Sequence, residues 1–372
     1  MSETEIPQPD RVEGAPHPRE TVRLFGQDRA EQDFLTAYTT GRLHHGWLLT
    51  GPKGLGKATL AWRIARFLLA TPEQEDDGLF GAPPPPETLE IGADHPVMRR
   101  TLALSEPGLF LLRRAWDDKA KRLKTQLTVD EVRKLKGFFT LSSAEGGRRV
   151  VIVDSMDELN TSAANAILKL LEEPPARTTL LMVAHQPSRL LPTIRSRCRE
   201  LRLAPLDTED MARALGQAGA EAAATDAQAL AALSSGSVGA AMRLLNHDGL
   251  KLYADLVHTV GTLPRLDRPR AIALGDSTAG KANEARLDLT LTLMDTLLAR
   301  LARTGVTGTP PAPEAAPGEA AMLARLSPDP ATGRAWAQLT QEAGDRARHA
   351  RAVNVDPAAL VLDMILQLHK VA

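Results

Sequence analysis

Three short, wholly apolar runs stand out from a polar background. Trp47-Leu48-Leu49-Thr50 stops at Gly51, Val150-Val151-Ile152-Val153 stops at Asp154, and Leu180–Val183 runs into Ala184-His185. Unbroken apolarity, without alternation, marks a strand covered on both faces, as in a parallel sheet flanked by helices. A further apolar island lies at Gly108–Leu112. Between these runs the apolar period becomes helical. Leu60, Ile64, Phe67 and Leu68 mark Ala58–Leu69, and Ala164, Ile167, Leu168 and Leu171 mark Ser162–Glu172, which Pro174-Pro175 ends. Thr128 and Glu131 have capping-box spacing and open a helix through about Phe139. Strands alternating with helices predict a parallel α/β sheet.

From Leu206 onward the pattern is helical throughout. Asp207 and Thr225 stand where N-caps belong, and Gly236 ends a short helix. Glu284–Arg303 is amphipathic, and a last helix opens at Asp356-Pro357 and buries Leu360, Met364, Ile365 and Leu368. Three segments carry no periodicity. Residues 1–20 are polar and Pro-rich and read as a disordered tail, 71–92 contain the run Pro83 to Pro86 and read as extended, and 305–318 read as a flexible loop. The domains expected are therefore the tail (1–20), an α/β domain (21–205), a small helical lid (206–247) and an all-helical C-terminal domain (248–372).

Composition narrows the function classes. With 45 basic and 46 acidic residues the net charge is −1, so nucleic-acid contact should be local or shared with partners. The cations at Arg113, Arg114, Lys119, Lys121, Arg122 and Lys124 read as a solvated surface, partly offset by Asp117 and Asp118. One cysteine, Cys198, permits neither an internal disulfide nor a four-cysteine zinc site, and it reads as a packing residue. No signal peptide and no membrane-spanning run are read, so the chain is expected to be a soluble cytoplasmic protein.

The chemistry concentrates at two strand ends. Gly51-Pro52-Lys53-Gly54-Leu55-Gly56-Lys57-Ala58-Thr59 matches G-x-x-x-x-G-K between a predicted strand and a predicted helix. Such a loop curls backbone N–H groups around phosphate oxygens, the helix dipole points at the same anion, and Lys57 would reach the β- and γ-phosphates. The hydroxyl that would hold Mg²⁺ is missing, because Ala58 stands there and Thr59 comes one residue late on the helix. ATP or ADP binding is thus expected with weakened metal organisation. Asp154, ending the second apolar run, has the position of a Walker B carboxylate, and Asp157 and Glu158 beyond it read as a solvated turn.

Asn165–Pro175, Pro187–Cys198, Leu24–Gln27 and Leu43–Pro52 together resemble subunits of the bacterial clamp loader, which are AAA+ P-loop proteins. The resemblance is strong over residues 22–245 and rests on helical character alone beyond them. It implies an AAA+ domain, a lid and an oligomerising collar. It also implies a hetero-pentamer with a motor subunit and a clamp-opening subunit that loads a sliding clamp on primed DNA in replication. The family's Ser-Arg-Cys motif falls on Ser196, Arg197 and Cys198, and implies that Arg197 is an arginine finger acting in trans. Against the family's hydrolytic members, Ser155 replaces a catalytic Glu, Ala184-His185 occupies the sensor-1 region, and Gly239 replaces a sensor Arg. With Ala58, these changes imply a non-hydrolysing subunit whose own ATPase is weak or absent. The alternatives left open are a hydrolytic motor subunit and a P-loop ATPase outside replication. Residues 71–127 lack the cysteines of the zinc module that many such subunits carry, so no zinc is expected.

Overall fold

A computed structural model describes residues 7–71, 84–141, 147–220, 226–353 and 355–372, and the chain divides into two compact units, Met1–Leu206 and Asp207–Ala372. In the first unit β1 (Gly46–Thr50), β2 (Leu109–Arg113), β5 (Arg149–Asp154), β6 (Thr178–Ala184) and β7 (Arg199–Arg202) form one parallel sheet in the order β2-β5-β6-β1-β7. β3 (Trp116–Asp117) and β4 (Arg122–Leu123) form a separate antiparallel hairpin. The expected α/β class is the one observed.

The apolar runs are continuous because the sheet is covered twice. Leu48, Val151, Val153, Leu180 and Met182 face Ala163, Ile167 and Leu171 of α5 (Thr161–Glu172) and Val132 and Leu135 of α4 (Val129–Leu141). The alternate residues face the opposite layer, α1 (Asp28–Thr39) and α2 (Lys57–Ala70), where Phe34 packs on Trp47 with ring centroids 5.0 Å apart. Every residue of β1 and β6 is buried. α3 (Pro96–Leu102) and α6 (Pro192–Arg195) are short links.

The N-terminal tail expected over residues 1–20 is not a tail over its described part, 7–20. Asp10 and His17 are buried side by side with 3.0 Å between Oδ2 and Nε2, and Asp10 Oδ1 lies 2.7 Å from Arg113 Nη1. Arg66 Nη1 donates to Arg19 O at 2.7 Å, and Arg63 Nη1 donates to Val22 O at 2.5 Å. The strap is held by donors on α2 and β2, since it has no apolar period of its own. That is why composition misread it. The extended stretch expected around Pro83 falls partly on residues 72–83, outside the described residues.

The second unit is all helix: α7 (Thr208–Gln217), α8 (Ala227–Ser234), α9 (Val238–Asn246), α10 (Gly249–Gly261), α11 (Arg268–Asp276), α12 (Glu284–Thr307), α13 (Glu319–Leu326), α14 (Pro330–Ala352) and α15 (Pro357–Leu368). Asp207 and Asp356 cap α7 and α15, accepting from Asp210 N and Ala359 N. Thr225 lies outside the described residues. α9 packs directly on α10, and both belong to the second unit. The loop at 305–318 is tied down. α12 continues to Thr307, and Arg300 reaches Pro311 O (3.1 Å), Pro313 O (2.9 Å) and the fully buried Glu319. Glu319 also accepts from Tyr253 Oη at 2.5 Å and Ala315 N at 2.6 Å. α12 and α14 touch at glycines, where a Cβ on Gly305 would sit 2.7 Å from Gly333 Cα.

Candidate functional site

The phosphate loop leaves the end of β1 and enters α2 at Lys57. Gly51, Gly54 and Gly56 all have positive φ (135°, 85° and 91°), a region that L side chains avoid. A Cβ on Gly51 would also meet Leu203 O at 2.9 Å. The first turn of α2 therefore presents its amides toward the loop's hollow, the arrangement that receives an anion. Lys57 is buried there, and its Nζ donates to Gly51 O at 2.5 Å and to Pro52 O. Burial pulls its pKa down to about 8, against the opposing pull of Asp154. Ala58 offers no hydroxyl, and Thr59 is buried inside the helix packing. Leu24 packs against Gly56, and the buried Gln27 clasps the backbone of Ala204, donating to its O at 2.8 Å and accepting from its N at 3.0 Å.

Asp154 ends β5 close enough to Lys57 for each to bias the other's charge. Burial pushes its carboxyl up to about 7, and the Asp10 and Glu158 carboxylates add to the effect while Lys57 and Lys53 oppose it. Asp10 was missed in the sequence, since nothing in a Pro-rich strap marks one carboxylate as buried. Ser155 is buried beside Asp154, and its hydroxyl has no hydrogen-bond partner among the described residues. A neutral serine cannot do the work of a general base here.

The turn after Ser155 is not merely solvated. Asp157 accepts from His185 N at 2.6 Å and Gln186 N at 2.8 Å, pinning the segment that leaves β6. Glu158 pairs with Arg114 Nε at 2.7 Å. His185 is brought into the field of Lys57, and burial, then that charge, lowers its pKa to about 4 with Asp157 opposing, so it is a neutral imidazole. Lys57, Asp154, Ser155 and His185 thus come together from three neighbouring strand ends. Gly239 belongs to α9 in the second unit.

Arg197 is not part of that cluster. It precedes β7, which runs parallel to β1 with Arg199 opposite Trp47, and its carbonyl lies 3.3 Å from where a Cβ on Gly46 would be. Gly46 begins β1 and the phosphate loop follows its end, so Arg197 stands about 15 Å from the loop at ~3.3 Å per strand residue. That separation exceeds an arginine's reach. Its guanidinium is partly exposed, donates to Thr193 O at 3.0 Å and pairs with Glu172 at 3.1 Å. Cys198 donates to Ile194 O at 3.0 Å, and burial pushes its thiol up to about 12, which suits packing and not nucleophilic chemistry.

Residues 26–207, the stretch containing the phosphate loop, Asp154 and Arg197, match the family model described as DNA polymerase III, delta subunit. That stretch is similar to this DNA polymerase III subunit family. The chain is 39% identical to DNA polymerase III subunit delta' of Pseudomonas aeruginosa over 223 residues, covering 59% of this chain and 61% of the relative. Its match to subunit delta' of Escherichia coli is 32% over 219 residues, covering 58% and 59%. Its match to subunit gamma of Buchnera aphidicola is 27% over 195 residues, covering 52% and 47%. The matches span 61% or less of these relatives' own lengths. No helix among the described residues is long and apolar enough to cross a membrane.

Proposed function

We propose that this chain is the delta-prime type of clamp-loader subunit in bacterial DNA replication: a nucleotide-holding but non-hydrolysing AAA+ subunit that donates Arg197 to a neighbour's ATP site. The observation that carries the reading is the opposition of the two ends of the sheet. The phosphate loop lies at the C-terminal end of β1 and Arg197 at the N-terminal end of β7, so Arg197 can serve only a nucleotide held by another chain. Its chemistry there is to stabilise charge developing on the transferred γ-phosphoryl, which a planar, permanently charged guanidinium does well. Its pair with Glu172 is exposed, worth about 1 kcal/mol or less, and is readily exchanged for a phosphate.

The cis site supports the other half of the proposal. ATP or ADP would sit on the backbone of Gly51–Thr59 with Lys57 turned from its own loop carbonyls to the phosphates. Ala58 gives Mg²⁺ no hydroxyl, Ser155 gives the attacking water no base, and Asp154 titrates near 7, so its negative charge is incomplete at neutral pH. The partners proposed are the motor subunits, the clamp-opening delta subunit and, through the assembly, the sliding clamp and primed DNA in the cytoplasm.

Two measurements test this. The isolated chain should show no ATP turnover above trace, and steady turnover would favour a motor subunit. Arg197→Ala should leave the chain folded while lowering the ATPase of a reconstituted loader. Unchanged loader activity would refute the finger.

A further inference from the structure

The β3–β4 hairpin takes no part in the nucleotide site. Asp117 Oδ1 accepts from the amides of Lys119 and Ala120, both at 3.0 Å, and Lys121 adopts a left-handed φ of 50°, so the turn is shaped by its own carboxylate. Lys119, Lys121 and Arg122 stand exposed at the tip, with Lys124 half-buried at the base. Among the described residues none of these four forms an ion pair, although Asp117, opposite Arg122 across the hairpin, feels the charges of Lys124 and Arg122; the adjacent Arg113 and Arg114 are each taken up, at 2.7 Å, by Asp10 and Glu158. A cleft of about 490 Å³ opens at the hairpin's foot. Its walls include Trp116 and Leu123, which face one another across the hairpin, Leu111 from β2, and Pro7 and Pro9 from the strap. Trp116 is half-buried on that wall.

A planar aromatic ring beside a row of cations that are mostly exposed is the arrangement that holds an unstacked base together with its flanking phosphates. A duplex keeps its base faces covered, so it would engage the cations and leave the indole idle. An acidic peptide would do the same. We propose that the hairpin and its cleft form a contact for single-stranded nucleic acid: one base stacks on Trp116 at the mouth of the cleft, and Lys119, Lys121, Arg122 and Lys124 hold the neighbouring phosphates. The near-neutral net charge of −1 makes this a local contact without long-range steering.

The test is fluorescence anisotropy of a fluorescein-labelled oligothymidylate of about 15 nucleotides, titrated with the full chain at low salt. Binding should saturate, and the logarithm of its affinity should fall linearly with the logarithm of salt concentration. The triple variant Lys119→Glu, Lys121→Glu, Arg122→Glu should lose about tenfold or more in affinity, with a salt slope shallower by roughly two. Trp116→Ala should lose about fivefold or more at an unchanged slope, while Trp116→Phe keeps most of the affinity. Lys251→Glu, on an exposed face of the second unit, should bind as the unaltered chain does. A matching oligouridylate identifies whether DNA or RNA is the source of the strand. Binding to neither strand, indifference to the tip reversals or to Trp116→Ala, or tighter binding of a glutamate-rich peptide or a duplex would overturn the proposal. The tip substitutions are solvent-facing, and unchanged thermal melts would separate lost binding from lost fold.

Discussion

Replacing Asp154 with asparagine should stabilise the protein in mild alkali and leave it unchanged in mild acid. Asp154 is deeply buried at the end of β5, and its carboxyl is pushed from 3.8 up to about 7, first by burial and then by Asp10 and Glu158. In the unfolded chain the same group ionises near 4. Between those values the folded protein keeps a proton that the unfolded chain has released. Stability therefore falls as pH rises through that window, is fully present below about 4, and levels off above about 7. A rise from 3.8 to about 7, at about 1.4 kcal/mol per pH unit, corresponds to about 4 kcal/mol. Asparagine has nearly the shape of the protonated acid and cannot ionise, so it removes this cost without opening a cavity. Urea unfolding followed by circular dichroism should show Asp154→Asn more stable by about 4 kcal/mol near pH 8 and equal to the unaltered protein near pH 4. A loss of stability near pH 8, or the same gain at both pH values, would refute the account. The confirmed result would mean that the site keeps a charged group at a cost in stability, as functional sites do.

Asp157→Ala should strip two backbone N–H groups beside His185 of their acceptor and cost about 2 kcal/mol in the same assay, with Asp157→Asn retaining part of the loss. Arg300→Met should leave the Glu319 carboxylate buried without its cation and destabilise by about 3–5 kcal/mol, whereas Tyr253→Phe should cost about 1–3 kcal/mol. Cys198, with its thiol near 12, should react with a thiol-selective reagent in mild alkali about a thousandfold more slowly than a free cysteine, whose pKa is about 8.5. Rapid labelling of the native chain would show that the pocket around Ile194 opens.

The sequence by itself determined the layered α/β class, because only strands covered on both faces need to be apolar at every position, as Trp47–Leu49 and Val150–Val153 are. It also determined the phosphate loop, since three positive-φ glycines and a lysine must be contiguous to wrap an anion. The oddities at Ala58 and Ser155 were visible for the same reason: their chemistry is local.

Tertiary structure alone decided what depends on partners distant in the chain. Residues 7–20 read as a tail because a polar strap has no period, and what anchors them is Arg66 of α2 at Arg19 and Arg113 of β2 at Asp10. Asp157 read as a solvated turn because the amides it accepts from, His185 N and Gln186 N, follow another strand, β6. The hairpin cations read as an ordinary charge run until pairing of Trp116 with Leu123 set them beside a cleft. The reach of Arg197 was undecidable from spacing, because strand order, not distance along the chain, sets it at the far end of β1 from the phosphate loop.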